Sequence, residues 1–281
     1  MSETEKHLHL DSGRLFVRYS SIQRGRPSLV FLHGLGDSGL SFSEAFDRPE
    51  LAAFNLIVPD LLGFGRSSAA LDGDYSFAAQ AERTWRAVDF LGVETVTLVG
   101  HSMGGDLATL MAFWDCRERV KSLVNVEGNL TPRDLFISSK AAEAADRGRF
   151  GEWFSTKFAQ ETVLESWGQR WPSCRRYYES LLFCHQDAFR ESARELVRRN
   201  GPIPGSLASE MGALFRFLHL PKVFCWGGKS NLARRTQRFL AEMDSQQKER
   251  FANAGHWLTA DQPEKFYAFL ARFCARAKTE P

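Results

Sequence analysis

The chain has 281 residues, 43% hydrophobic and 25% charged, with 36 basic and 34 acidic side chains and a net charge of +2. That balance excludes a disordered or collagen-like chain, and it leaves no basic field suited to a phosphate backbone, so nucleic acid is not an expected partner. No apolar run reaches the roughly 18 residues of a membrane span, and the opening MSETEKHLHL lacks the apolar stretch of a signal peptide. The five cysteines lie far apart with no CxxC pair, which points to a reducing compartment, and the cytoplasm is the expected location.

Short apolar runs alternate with amphipathic ones, the pattern of βαβ units around a mostly parallel sheet. Residues 15–20 (LFVRYS) alternate and read as an antiparallel leading strand. Residues 28–32 (SLVFL), 55–59 (NLIVP), 95–99 (TVTLV), 121–126 (KSLVNV) and 222–226 (KVFCW) are nearly continuous in apolar side chains, as strands buried on both faces should be. A helix is predicted over 77–91, where Ala81, Trp85, Val88 and Leu91 share a stripe. The last helix follows Pro263 and places Phe266, Phe269, Leu270 and Phe273 on one face.

One stretch breaks the alternation. Between residues 129 and 205 the signals are helical: a start at 131–134 (TPRD), and a helix capped by Asp187 that stops at Gly201-Pro202. An insertion this long cannot be a simple crossover. It reads as a helical cap or lid (129–205) on a core formed by 1–128 and 206–281. The insertion is rich in aromatic residues, more than a few short helices need to pack together. Trp153, Phe154 and Phe158, with Trp257 from the core, are the expected lining of an apolar pocket.

The chemistry-bearing motif is GHSMGG at 100–105, a GxSxG that follows a buried strand directly and opens an apolar helix. That setting is a nucleophile elbow, with Ser102 the candidate nucleophile. Its glycines are needed because side chains at Gly100 and Gly104 would collide with the strand and helix. Acyl transfer also needs two donors aimed at the oxyanion. The N–H of Met103 is one, and the N–H of Leu35, in the glycine-flexible loop HGLG at 33–36, is the other. His33 reads as a brace of that loop. A serine hydroxyl needs a base, and His256, in the small-residue loop NAGHW, is the candidate. His7 and His9 fall in the N-terminal tail, and His101 reads as packing. No GxGxxG follows the first strand, and no P-loop lysine or metal-spaced His/Asp cluster is present, so neither cofactor nor metal is expected.

Taken together, FLHGLG, VPDLLGFGRSS, LVGHSMGG and NAGHWL, in that order and spacing, resemble the α/β-hydrolases of the capped, lipase/esterase-like kind. The resemblance spans nearly the whole core. It implies an α/β fold with a mostly parallel eight-stranded sheet flanked by helices, a helical cap after strand six, and a catalytic triad. Asp60 and the loop 63–67 match a recurrent structural loop of the family. The chain departs from the family at the acid. Many relatives carry an aspartate after strand seven in a WGxxD context, and here WGGKS puts Ser230 in its place. Glu127, at the tip of the neighbouring strand six and followed by Gly128, is the expected substitute. Asp106, on the helix after Ser102, is a rival, and a Ser–His dyad is another reading. The expected function is hydrolysis of a carboxylic ester or related acyl compound, small and apolar, through a Ser-His-Glu triad and an acyl-enzyme. The alternatives are C–C bond hydrolase, perhydrolase, lyase or cofactor-free oxygenase chemistry on the same scaffold. A non-catalytic small-molecule-binding protein is a further alternative.

Overall fold

A computed structural model describes residues 3–277; residues 1–2 and 278–281 of the expected core lie outside it. Eight strands form one sheet: β1 (Glu3–Leu10), β2 (Gly13–Ser20), β3 (Ser28–Leu32), β4 (Asn55–Pro59), β5 (Val96–His101), β6 (Val120–Val126), β7 (Lys222–Gly227) and β8 (Lys248–Phe251). Their spatial order is β1-β2-β4-β3-β5-β6-β7-β8. The β1–β2 and β2–β4 pairs are antiparallel, and β4, β3, β5, β6, β7 and β8 run parallel.

The continuous apolar strands explain the layering. In β3, Leu29 and Phe31 join one core, while Val30 and Leu32 join the other, on the opposite face of the sheet. The first of these cores contains α10 (Pro263–Ala277), through Phe266, Leu270 and Phe273. The second contains α1 (Phe77–Phe90) and α2 (Met103–Phe113), through Ala81, Val88 and Leu107. Ser76 starts α1 by accepting from the Ala79 N–H, a side-chain N-cap.

Two strands escape the sequence reading. β1 carries His7 and His9, expected in a tail, and β8 has the sequence KERF. Both are edge strands with mostly exposed side chains, so neither shows an apolar run. The TPRD segment is a turn and starts no helix. Asp134 accepts from the Leu130 and Thr131 N–H groups instead, and α3 (Phe136–Asp146) begins two residues later. Helix α6 (Gln186–Arg199) is entered from His185, so Asp187 lies inside the first turn, where an acid favours the helix dipole, and does not cap it.

Between β6 and β7 lie α3, the short α4 (Phe150–Glu152), a π-helical run (Trp153–Trp167), α5 (Pro172–Leu182), α6 and α7 (Glu210–Phe217). These helices fasten to segments at the C-terminal ends of the parallel strands. The Tyr177 hydroxyl donates to the Leu35 carbonyl at 2.8 Å, and Asn200 donates to the Asp106 carboxylate at 2.8 Å. Arg176 pairs with Glu44 at 2.6 Å.

Gly104 fixes how closely α2 approaches β3. A Cβ there would lie 2.1 Å from the Leu32 carbonyl oxygen and 2.8 Å from that of His33. Alanine normally favours a helix over glycine. Here Gly104→Ala is expected to destabilise by about 3 kcal/mol or more through overpacking. That is a fall of about 6–12 °C in Tm, measurable by scanning calorimetry. An unchanged Tm would contradict this packing.

Candidate active site

Parallel strands converge their C-terminal ends on one side of the sheet, where ligands gather in open α/β folds. Ser102 follows β5 with φ 53° and ψ −120°, a strained conformation for a residue with a side chain. Gly100 permits the turn, since a Cβ there would meet the Gly104 carbonyl oxygen at 2.1 Å. Glu127 follows β6, also at φ 53°, and is 7% exposed. His256 stands in the loop after β8. Ser102, Glu127 and His256 all line one cavity of about 780 Å³.

The Glu127 carboxylate accepts three hydrogen bonds. Gly227 N–H donates to Oε1 at 2.7 Å, and the Ser230 hydroxyl donates to Oε2 at 2.6 Å. His256 Nδ1 lies 2.6 Å from Oε2. A carboxylate can only accept, so Nδ1 carries a proton and Nε2 is left free to take one up. Ser230, at the usual acid position, therefore contributes a donor to the carboxylate of the neighbouring strand. Asp106 is elsewhere engaged. It is buried, accepts from the Asn129 N–H and the Asn129 and Asn200 amides at 2.7–2.9 Å, and burial pushes its carboxyl up to about 7. It joins the helix of Ser102 to the inserted helices.

The loop after β3 is held by its histidine. Leu61 N–H donates to His33 Nε2 at 3.0 Å, which puts the ring proton on Nδ1, and Nδ1 donates to the Gly34 carbonyl at 2.9 Å. Asp37 N–H donates to the same carbonyl at 3.1 Å. In a trans peptide the N–H points opposite the carbonyl, so pinning the Gly34 C=O also fixes the direction of the Leu35 N–H. Met103 is the first residue of α2, and its N–H has no intrahelical acceptor. His101 and Asp37 align the histidine loop with this frame. The His101 ring sits 4.7 Å from that of His256, with Nε2 3.1 Å from the His256 carbonyl, and burial pushes its pKa well down. Trp257 Nε1 donates to Asp37 at 3.0 Å.

Of the expected pocket aromatics, Trp257 lines the cavity, but Trp153, Phe154 and Phe158 do not. The π-helical register stacks Trp153 on Phe158 at 5.1 Å, and Phe154 and Phe158 pack against Phe189 at 5.0 and 5.6 Å. Trp167, Trp171, Tyr177 and Phe136 take the lining role instead. Trp167, Trp171 and Tyr177 belong to the aromatic surplus of the insertion, but spacing gave no signal for Ser230 and Tyr177 as donors, because their acceptors lie 103 and 142 residues away. Removing the Ser230 donor should weaken the hold on Glu127. Ser230→Ala is expected to lower kcat by about 3–10-fold with little change in Tm, read from steady-state kinetics. An unchanged kcat would remove Ser230 from the site.

A sequence model of the α/β hydrolase fold matches residues 27–163. An uncharacterized protein of Mycobacterium tuberculosis is 26% identical over 263 residues, covering 88% of this chain and 75% of that one. The 2-hydroxy-6-oxononadienedioate/2-hydroxy-6-oxononatrienedioate hydrolase of Klebsiella pneumoniae is 25% identical over 296 residues, covering 98% of this chain and 96% of that one. Among solved structures, a variant of the N-acyl homoserine lactonase AidH complexed with N-hexanoyl homoserine superposes with a TM-score of 0.78 at 19% identity, covering 100% and 99% of the two chains. The chain has the α/β-hydrolase fold, and residues 27–163 carry its sequence pattern. The Klebsiella pneumoniae relative is a hydrolase and the AidH neighbour a lactonase.

Proposed function

We propose that the chain is a serine hydrolase that cleaves a carboxylic ester or related acyl compound through Ser102, His256 and Glu127. The observation that carries this reading is the Glu127–His256 contact of 2.6 Å in the wall of a cavity that Ser102 also lines. In the proposed cycle Ser102 Oγ attacks the acyl carbon as its proton passes to His256 Nε2. The carbonyl electron pair collects on oxygen, where the N–H groups of Leu35 and Met103 stabilise it. Collapse expels the alcohol, which takes the proton from Nε2. Water then attacks the acyl-enzyme with Nε2 as base, and the acid leaves. Glu127 holds the imidazole tautomer and stabilises the imidazolium.

Residues 129–205 act in this reading as the cap, and Trp167, Trp171 and Tyr177 give the pocket an apolar wall for the acyl chain. Cys116, Cys174, Cys184 and Cys225 are free thiols, which suits work in a reducing compartment such as the cytoplasm. A series of p-nitrophenyl esters of increasing chain length tests the reaction. Turnover with an optimum at one chain length is expected, and absence of turnover across the series would overturn the reading.

A further inference from the structure

The cavity also carries cationic side chains. Arg133, from the loop after β6, Lys229, from the loop after β7, and Arg234, the first residue of α8 (Arg234–Ala241), all line it. Two segments far apart in the chain, one with Arg133 and one with Lys229 and Arg234, thus bring positive side chains to the same cavity. All three are exposed, and among the described residues none of them forms an ion pair or a side-chain hydrogen bond. Elsewhere the molecule pairs its arginines freely, as in Arg176–Glu44, Arg119–Asp89 and Arg194–Asp146. The acids on the same cavity are already held by donors. Asp37 accepts from Ser41 and Trp257, Asp134 from Leu130, Thr131 and Thr236, and Asp261 from Gly255. Burial also raises the pKa of Asp134 and Asp261, which weakens their charge as rivals for the cations.

The placement of Arg234 runs against local preference. A helix N-terminus is positive and favours acids. Helix α8 opens with Arg234 and Arg235, has no acid in its first turn, and its N-cap Ala233 supplies no capping side chain. Where a sequence breaks a local rule, the position commonly serves a site.

We propose that Arg133, Lys229 and Arg234 form a subsite for an anionic group of the substrate, a carboxylate set away from the scissile bond. The inference rests on the acyl-hydrolase reading of Ser102 and adds the substrate class: an acyl compound that is apolar through its middle and carboxylate-bearing at one end. The aromatic wall takes the chain and the cationic wall takes the charge.

The test compares monomethyl suberate with methyl octanoate, which present the same chain length with and without a carboxylate on the acyl side. A second pair, 6-butanoyloxyhexanoate and hexyl butanoate, places the charge on the alcohol side. Acid release is followed in a pH-stat, in the wild type and in the Arg133→Gln/Arg234→Gln and Lys229→Gln variants. Binding of suberate to the wild type, measured by calorimetry, reads the subsite without turnover. The expected result is a kcat/KM preference for the charged ester of about tenfold in one of the pairs, carried mainly by KM and shrinking as salt is raised. The preference should fall to near unity in the double arginine variant, and suberate binding should weaken in parallel. No preference in either pair, no suberate binding, or a preference untouched by the variants overturns the subsite. Loss of methyl octanoate turnover in Ser102→Ala tests the hydrolase reading separately, so the two can fail independently.

Discussion

Ser102→Ala is expected to lower kcat by roughly 10⁴–10⁶-fold, because triad members act as a unit and the remaining groups have no nucleophile to activate. The fold should persist. The backbone of the elbow is fixed by its neighbours: Ser102 N–H donates to the Val126 carbonyl at 2.8 Å, and its own carbonyl accepts from Gly105 at 2.8 Å. Neither bond uses the hydroxyl. Alanine keeps the strain of φ 53° that serine already carries, so little change in Tm is expected alongside the kinetic loss. Circular dichroism and steady-state kinetics on the same preparation separate the two effects. A folded Ser102→Ala protein with near-native turnover would contradict the assignment.

Glu127→Gln should cost about 10²–10⁴-fold in kcat. The carboxylate now accepts from the Gly227 N–H, the Ser230 hydroxyl and His256 Nδ1. Glutamine has one acceptor oxygen. If that oxygen keeps the Gly227 N–H, the amide NH₂ faces Ser230 and His256. The Ser230 hydroxyl can rotate to accept, so the fold survives. Nδ1 must also become an acceptor, which moves the ring proton to Nε2, the nitrogen that has to take the serine proton. The loss should therefore appear in kcat and in reactivity toward serine-directed probes, with Tm little changed. Full activity in Glu127→Gln would return the acid role to another group.

Much of this was legible because buried parallel strands leave a strong sequence mark. The boundaries of β3 and β4 are those of the apolar runs SLVFL and NLIVP. Ser102 and Glu127 were read for the same reason, since each stands just beyond a buried strand, whereas His256 was read from its small-residue loop NAGHW. What stayed hidden lacks such a mark. β1 and β8 are edges with exposed side chains and no apolar run. The helices between β6 and β7 pack by side-chain fit, and a π-helical register, which the 3.6-residue period does not anticipate, turned Trp153 and Phe158 onto each other and away from the cavity. Tyr177 and Ser230 matter only through partners set by tertiary structure.

The central claim is that Ser102 is a nucleophile activated by His256 and Glu127. Labelling with a fluorophosphonate probe, followed by peptide mapping, measures this most directly. The account predicts a single adduct on Ser102, absent in Ser102→Ala and formed at least about 10²-fold more slowly in Glu127→Gln. An adduct on another residue, no adduct at all, or labelling at the wild-type rate in Glu127→Gln would contradict it.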